Sequence, residues 1–430
     1  MLERLFQLKA HNTTVRTEVL AGITTFLTMA YILFVNPNML AETGMDHGAV
    51  FVATCLAAAI GSLVMGLLAN YPIALAPGMG LNAFFTYTVV MTMGYSWQTA
   101  LGAVFLSGAI FFLLSIFKIR EWIINSIPLA LRAGIAAGIG LFLAIIALKN
   151  AGIVVDHPAT LVGLGDMSKG GALLACLGFF VIAALAYRKV TGAVMIGILL
   201  VTGLSIALGL SELPGVISMP PSLMPTLLQL DIAGALDIGL VSVIFAFLFV
   251  DLFDTSGTLV GVAQKADLLD KDGKMPRLGR ALMADSTATM AGAALGTSTT
   301  TSYIESAAGI SAGGRTGLTA CVVAALFLLS LFFAPLAGSV PAYATAPALL
   351  FVAVLMMSAL AQIDWDDLTV AAPVVVAALA MPLTFSIANG IAFGFIAWTA
   401  VKVLSGRWRE LNLAMWVLSA LFIVKLAYFA

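Results

Sequence analysis

This chain is poor in charge. Of its 430 residues only 10% are Asp, Glu, Lys or Arg, whereas soluble domains carry ~25%. With 61% hydrophobic residues and a mean hydropathy of +1.09, the chain cannot cover a water-facing surface. Its formal net charge of −1 also lacks the basic excess that nucleic acid attracts. The composition therefore predicts a membrane protein without a nucleic-acid partner.

Cysteine and histidine are scarce, which narrows the chemistry further. The cysteines lie in apolar stretches without CxxC spacing, which favours small core residues over disulfides or metal ligands. The histidines fall in predicted tails or loops, so carboxylates must carry any proton inside the membrane. A GxG at 78–80 has no βαβ context, so no nucleotide cofactor or metal is predicted. These scarce residues are Cys55, Cys176, Cys321, His11, His47 and His157.

Apolar runs of spanning length are abundant. A helix needs ~20 apolar residues to cross a bilayer, and cutting at charges and Pro/Gly clusters gives two sets of seven such segments. They lie at 18–36, 49–69, 73–92, 98–116, 129–148, 170–187 and 191–209, then at 237–263, 280–294, 297–311, 316–335, 345–361, 367–384 and 387–404. A last segment at 411–429 is amphipathic or spanning. The first 16 residues lack a signal peptide's apolar region, so the first segment is expected to remain.

The basic residues support this topology. With the N-terminus inside, 17 of them fall on the cytoplasmic side, whereas only Lys149 and Lys169 fall outside and Lys425 is unassigned. Such a bias is what the positive-inside rule predicts. The cytoplasmic set is Arg4, Lys9, Arg16, Lys118, Arg120, Arg132, Arg188, Lys189, Lys265, Lys271, Lys274, Arg277, Arg280, Arg315, Lys402, Arg407 and Arg409.

Two segments break the helical pattern at matching places in the two sets. In 72–85, Pro72, Pro77, Gly78 and Gly80 forbid a regular helix. In 296–310, a run of Thr favours an extended chain. Non-helical backbone at membrane depth is tolerated only against protein or a water-filled cavity. Paired broken segments in inverted repeats indicate the substrate site of a secondary transporter.

Only four acidic residues lie well inside predicted spans: Asp251, Asp254, Asp285 and Glu305. An intramembrane carboxylate is unfavourable unless it is paired or hydrated, which makes each one a functional candidate. Asp285 could instead cap a helix or pair with Arg280, and Glu305 could serve only to complement a helix dipole.

Asp251 and Asp254 are three residues apart on one predicted helix, with Thr255 and Thr258 beside them. Three residues turn a helix by ~300°, which places both acids on one face. Two like charges repel in a low dielectric, which favours protonation of one of them and suits proton coupling.

Asn82, in the first broken segment, offers a donor and an acceptor to a ligand edge, or else satisfies its own loop.

Four motifs together resemble the nucleobase:cation symporter family of xanthine and uracil permeases, and specifically its AzgA-like branch of purine permeases. They are EVLAGITTFLTMAYILFVNPNML at 18–40, APGMGLNAFF at 76–85, FVDLFDTSGTL at 249–259 and TSTTTSYIESAAGI at 297–310. The likeness covers nearly the whole chain. Where the uracil and xanthine branches carry Glu in span 8, this chain carries Asp, which fits the AzgA-like branch.

The resemblance implies fourteen spans in a seven-plus-seven inverted repeat, with a short strand and a half-helix at spans 3 and 10. It implies a core domain of residues 1–118 and 237–340, a gate domain of 119–236 and 341–430, and a homodimer. By resemblance, Asn82, Asp251, Asp254 and Glu305 bind substrate, and the three acids also couple protons. Further contacts are expected from Gly80 and Ser306, and support from Asp285 and Thr255.

The predicted function is proton-coupled import of purine bases, hypoxanthine and guanine first, across the bacterial inner membrane by alternating access. Carboxylates accept from the N–H groups of a 6-oxopurine, whereas adenine needs a donor opposite N1. Adenine import is the alternative within the branch, and proton against sodium coupling stays open. An anion transporter should show Lys or Arg near the ligand, or neutral residues with exposed helix N-termini, and three deep acids near the same site argue against it. An intramembrane enzyme using two carboxylates, or a passive channel, is the alternative from another class.

Overall fold

The computed structural model describes residues 2–117, 126–236, 238–265, 268 and 275–428, with backbone alone at a few of them. Four of the cytoplasmic cations, Lys118, Arg120, Lys271 and Lys274, lie outside these residues. The predicted domain boundary at 118/119 also falls outside the described residues, as does residue 237 at the boundary 236/237.

Helices account for most of the described chain. They are α1 (Leu2–Phe6), α2 (Val15–Met29), α3 (Ile32–Ala41), α4 (His47–Val64), α5 (Met79–Ala83), α6 (Trp97–Ile116), α7 (Leu129–Asn150), α8 (Gly170–Tyr187), α9 (Ala193–Ala207), α10 (Ile232–Ala235), α11 (Ile238–Lys265), α12 (Leu278–Leu295), α13 (Ser306–Ser311), α14 (Gly317–Ser330), α15 (Ala334–Gly338), α16 (Ala342–Met357), α17 (Leu368–Leu383), α18 (Ile387–Leu404) and α19 (Leu413–Tyr428). Short π segments at Met65–Ala69 and Phe84–Thr92 continue α4 and α5, and 3-10 turns follow α14, α16 and α18.

The helices begin where short polar side chains cap them. Asp46 accepts a hydrogen bond from the amide of Ala49 at the start of α4, and Ser96 accepts one from Thr99 at the start of α6. Ser386 does the same for α18. Such caps satisfy amides that have no partner within the helix.

Eight helical runs in the described residues are long and apolar enough to cross a membrane, and three shorter apolar helices accompany them. The protein is therefore a multi-pass membrane protein. Each predicted segment coincides with a helix or with a strand followed by a helix. Fourteen crossings and an inverted repeat go beyond these criteria and stay predictions.

The first predicted span differs from its expected course. The run Val15–Ala41 is broken at Ala30 and Tyr31, where α2 ends and α3 begins. At its start, Glu18 is fully buried and accepts hydrogen bonds from the amides of Arg315 and Thr316. Tertiary packing thus also buries a carboxylate that the sequence places at the start of a predicted span, besides the four acids predicted to lie well inside spans.

Four short strands form two separate two-stranded antiparallel sheets. β1 (Leu75–Pro77) pairs with β4 (Thr300–Ser302), with Ala76 opposite Thr301. β2 (Val154–His157) and β3 (Leu161–Leu164) form an exposed hairpin after α7.

The long helices pack in two sets. α12 contacts α4 and α6, and α14 contacts α2 and α4. In the other set, α7, α17 and α18 pack on one another and α16 packs on α7. The first broken segment lies where these sets meet, since α5 contacts α7 of the second set and α3, which packs on α4 of the first.

Candidate functional site

The two broken segments meet through their strands. Three residues of each pair in the β1–β4 ladder, and the amide of Gly78 extends it by donating to the carbonyl of Thr299 (2.9 Å). The predicted strand followed by a short helix is confirmed at both places, with α5 after β1 and α13 after β4. The pairing satisfies backbone groups that have no helical partner.

Side chains secure the same junction. The hydroxyl of Tyr303 donates to the carbonyl of Pro77 (2.6 Å), and the amide of Ala74 donates to Oγ of Ser306 (3.0 Å). Ser306 is fully buried and does not line the cavity described below. Its observed contact ties the two segments together, and its contact with substrate stays a prediction.

A cavity of about 460 Å³ adjoins the junction. Its size falls within the ~300–1,000 Å³ that small-molecule sites occupy. One side is formed by Tyr31, by residues 78–80, by α11 and by residues 301–305, and the other side by α7, α16 and the turn after α16. The two sets of helices thus each contribute one wall.

Two carboxylates face this cavity, Asp254 from α11 and Glu305 from the start of α13. Glu305 accepts a 2.6 Å hydrogen bond from the hydroxyl of Tyr31. Both acids are partly exposed through the cavity, so a ligand can reach their oxygens. They present acceptors to a molecule that carries N–H or O–H donors.

Asp251 lies behind this surface. It is 2% exposed and does not line the cavity. Its Oδ1 lies 3.0 Å from Oγ1 of Thr255, which also lies 3.0 Å from Oδ2 of Asp285 and 2.6 Å from Oγ1 of Thr301. Asp285 further accepts from the amide of Ser302 (3.2 Å). These contacts join α11, α12 and β4 beneath the cavity.

Gly80 and Asn82 occupy different positions. Gly80 lines the cavity, and a Cβ added to it would lie 2.7 Å from Cγ2 of Ile139 on α7. Asn82 is fully buried and does not line the cavity, and neither atom of its amide has a hydrogen-bond partner among the described residues. The alternative in which Asn82 satisfies its own loop is therefore wrong. Such an orphan amide is unfavourable and requires an explanation.

The exposure of the lining shows that the cavity is open. Ile304, between the paired strand and Glu305, is 51% exposed. The lining continues to Arg132 at the start of α7 and Gln362 after α16, both at ends that the charge distribution assigns to the cytoplasm.

Among the lining residues that sequence reasoning missed, Tyr31 and Arg132 are the most informative. Tyr31 falls in the interior of a predicted span, and only the break between α2 and α3 brings it to Glu305. Arg132 was counted as a cytoplasmic charge, but it lines the cavity. The available signal was an arginine in the first turn of a helix whose other charged residue, Lys149, lies in its last turn.

Comparison with known proteins gives one family and several relatives. Residues 16–393 match the Xan_ur_permease model, described as a permease family. The adenine permease AdeP of Escherichia coli (strain K12) is 52% identical over 100% of this chain and 96% of its own length. The guanine/hypoxanthine permease PbuG of Bacillus subtilis (strain 168) is 47% identical over 100% of this chain and 99% of its own.

The fold has a solved counterpart. The transmembrane domain of the cyanobacterial bicarbonate transporter BicA superposes with a TM-score of 0.67 and covers 87% of this chain and 96% of its own at 15% identity. At that identity the likeness concerns the fold alone.

Proposed function

This chain belongs to the Xan_ur_permease family of permeases, and we propose that it imports purine nucleobases together with protons, hypoxanthine and guanine first. It is a transporter and not an enzyme, so the alternative of an intramembrane enzyme using two carboxylates is set aside. One observation supports the proposal most: Asp254 and Glu305 face one cavity where the two broken segments meet.

The donor and acceptor pattern fits a purine. The carboxylates accept from ring N–H groups of hypoxanthine or guanine, and amides of the first turn of α5, which continues as a helical run to Thr92, donate to ring acceptors. Gly80 lets the base approach that backbone closely, because it has no side chain. Asn82, with its orphan amide, is the proposed further partner, reached by a small rearrangement of α5.

The same residues are proposed to couple the proton. Asp254 is reached from the cavity, so we assign proton uptake and release to Asp254 and Glu305. Asp251 contacts Thr255, which in turn contacts Thr301 in the cavity lining. Asp285 holds Thr255 against β4. A proton on Asp254 or Glu305 removes the charge of that carboxylate, which permits the site to move between its two orientations. Bound substrate replaces the water that the site loses as it moves.

Movement is proposed to occur between the two sets of packed helices. The core would comprise 1–118 and 237–340, and the gate 119–236 and 341–430, related as fourteen spans in a seven-plus-seven inverted repeat. In this proposal the core moves past the gate and carries both broken segments with it. This movement opens the same site first to the outside and then to the cytoplasm. A homodimer formed through the gate and a location in the bacterial inner membrane complete the proposal.

Adenine is the second candidate substrate. The 52% identity to an adenine permease and the 47% identity to a guanine/hypoxanthine permease are too close to choose between them. Adenine would donate its 6-amino group to one carboxylate, with a protonated carboxyl opposite N1.

Uptake of radiolabelled hypoxanthine, guanine and adenine in cells without purine transporters tests the function. Uptake should fall when a protonophore collapses the proton gradient. Asp254→Asn and Glu305→Gln should abolish it at unchanged membrane level, whereas the exposed controls Asp156→Asn and Glu212→Gln should transport normally. Uptake that ignores the proton gradient would contradict proton coupling, and no uptake of any purine would contradict the function.

A further inference from the structure

Arg132 faces the cavity from the wall opposite the two carboxylates. It lies in the first turn of α7, while Asp254 and Glu305 belong to α11 and α13. Within the described part of the chain, Arg132 is the one basic residue that lines the cavity. Its neighbours in the lining from the same helix are apolar: Leu129, Ala133, Ile135, Ala136, Ile139 and Leu143.

The guanidinium of Arg132 has no partner in the described part of the chain. Its Nε is buried and makes no hydrogen bond there. Other arginines are satisfied: Arg315 donates two hydrogen bonds to carbonyls, and Arg407 pairs with Asp367 and Glu410. A buried donor without an acceptor is unfavourable, and more so when it is charged. An acceptor supplied by a ligand would relieve this.

The position of Arg132 suits a molecule that also reaches the acids. Ile139, seven residues further along α7, lies beside Gly80 at the level of the broken segments. Seven residues of helix correspond to ~10 Å. The flexible side chain of Arg132 spans several ångströms of the distance between its Cα and the broken segments. A flat bicyclic base with a hydrogen bond at each end spans the rest.

We propose that Arg132 is a substrate-binding residue of the cytoplasmic half of the cavity, which contacts the nucleobase from the gate side. The carboxylates take the N–H edge of the base, and Arg132 donates to its carbonyl or ring nitrogens or stacks on its face. Because Arg132 lies between the acids and the cytoplasmic end, the base passes it on release. This inference rests on the proposed purine transport.

Protection from chemical modification tests direct contact. Phenylglyoxal modifies accessible guanidinium groups, and peptide mass analysis of the purified full-length protein reports its extent at Arg132. Saturating hypoxanthine should slow modification of Arg132 severalfold and leave the exposed Arg188 unchanged. In Glu305→Gln, which cannot hold the base, the protection should vanish. Equal modification of Arg132 with and without any transported base would overturn the proposal.

Kinetics of variants give an independent test. Arg132→Gln should raise KM for uptake about tenfold, the effect of one hydrogen bond from a charged group, at unchanged membrane level. Arg132→Lys keeps the charge and should recover part of the loss, and Arg188→Gln should behave as wild type. Wild-type uptake together with an unchanged KM in Arg132→Gln would overturn only the role of Arg132. Absence of purine uptake in the wild type would overturn the proposed function itself.

Discussion

Tyr31 donates a 2.6 Å hydrogen bond to Oε1 of Glu305, although 274 residues separate the two in sequence. Tyr31 lies at the break between α2 and α3, and Glu305 at the start of α13. The bond fixes one carboxylate oxygen of Glu305, a residue that lines the cavity. The broken first span therefore positions an acid that belongs to the second half of the chain.

Removing this hydroxyl should impair the site without unfolding the protein. Tyr31→Phe keeps the ring but loses a hydrogen bond to a charged group, worth ~1.5–3 kcal/mol. We expect at least a tenfold loss in kcat/KM for purine uptake, measured at equal membrane level. Tyr187→Phe is the matched control, since Tyr187 is 89% exposed. Equal uptake by Tyr31→Phe and Tyr187→Phe would show that Glu305 does not need the Tyr31 hydrogen bond to function in uptake.

Asp254 and Asp251 should fail in different ways. Asp254→Asn alters the cavity surface, so purified protein should keep its Tm but lose the rise in Tm that hypoxanthine gives. Asp251→Asn disturbs the buried contact with Thr255 and should lower the Tm of ligand-free protein, by ~1–3 kcal/mol in free energy. Thermal unfolding in detergent with and without ligand separates the two. The opposite assignment of effects would place Asp251 in the binding surface.

A methyl group at Gly80 should clash with α7, which forms the opposite wall of the cavity. In Gly80→Ala the new Cβ lies 2.7 Å from Cγ2 of Ile139, which must move. Overpacking of this kind destabilises by ~1–3 kcal/mol and should reduce uptake severalfold. Ile139→Ala removes that Cγ2, so the double variant should recover transport. Gly203→Ala meets nothing within 4 Å and serves as the control. If Ile139→Ala does not restore uptake in the Gly80→Ala variant, the clash with Ile139 is not the cause of the lost uptake.

A polar cluster closes the end of the molecule opposite the cavity opening. The hydroxyl of Tyr87 donates to Oε1 of Glu42 (2.8 Å), and the Asn150 amide lies 3.4 Å from that hydroxyl. Lys149 lies 5.6 Å from the centre of the Tyr87 ring. Since Lys149 and Asn150 belong to the wall formed by α7, the cluster holds both walls together.

Loss of the Tyr87 hydroxyl should loosen this closure. In a cysteine-free background carrying Ile304→Cys, Tyr87→Phe should increase labelling by a membrane-impermeant maleimide added outside. The neutral hydrogen bond between Asn150 and Tyr87 joins the two walls. Its loss, ~1 kcal/mol, corresponds to about a fivefold change in labelling. Tyr187→Phe again controls for the loss of a hydroxyl. Unchanged labelling would show that other contacts, such as Thr88 with the carbonyl of Phe385, hold the closure.

The same closure should respond to pH through Glu42, which follows α3. Burial raises the pKa of Glu42 above its ordinary value, and the Tyr87 hydrogen bond and the Lys149 charge only partly offset this. The closed form therefore binds the proton more tightly than an open, hydrated form. Closure should strengthen as pH falls from the raised pKa to the ordinary one, which labelling of Ile304→Cys at a series of pH values would show. Glu42→Gln should flatten the response, and labelling that rises as pH falls would contradict the assignment.

Local chemistry made the broken segments predictable. Pro72, Pro77 and Gly78 cannot continue a helix, and β-branched Thr favours extension, so strands and half-helices follow from composition. Asp254 and Glu305 could be singled out as candidates from the sequence because carboxylates in apolar runs are rare.

Contacts between distant segments were not predictable. A turn of ~300° puts Asp251 and Asp254 on one face, but it also separates them by ~60°, enough for one to line the cavity and the other to lie behind it. The partners of Asp285 and Ser306 belong to β4 and to the residue before β1, and no local pattern encodes them. Arg132 shows the same limit, since charge fixes its side of the membrane but not the direction it faces.

The pairing of β1 with β4 also has a consequence for biogenesis. Leu75–Pro77 enters the membrane more than two hundred residues before its partner Thr300–Ser302 is synthesised. Until then its amides and carbonyls lack the ladder that satisfies them, in a solvent that offers no substitute. Completion of the site is thus a late event in translation, and a nascent chain arrested before Thr300 presents an unfinished strand that membrane quality control can recognise. Two half-chains synthesised separately carry complementary strands, so each supplies the edge that the other needs to assemble.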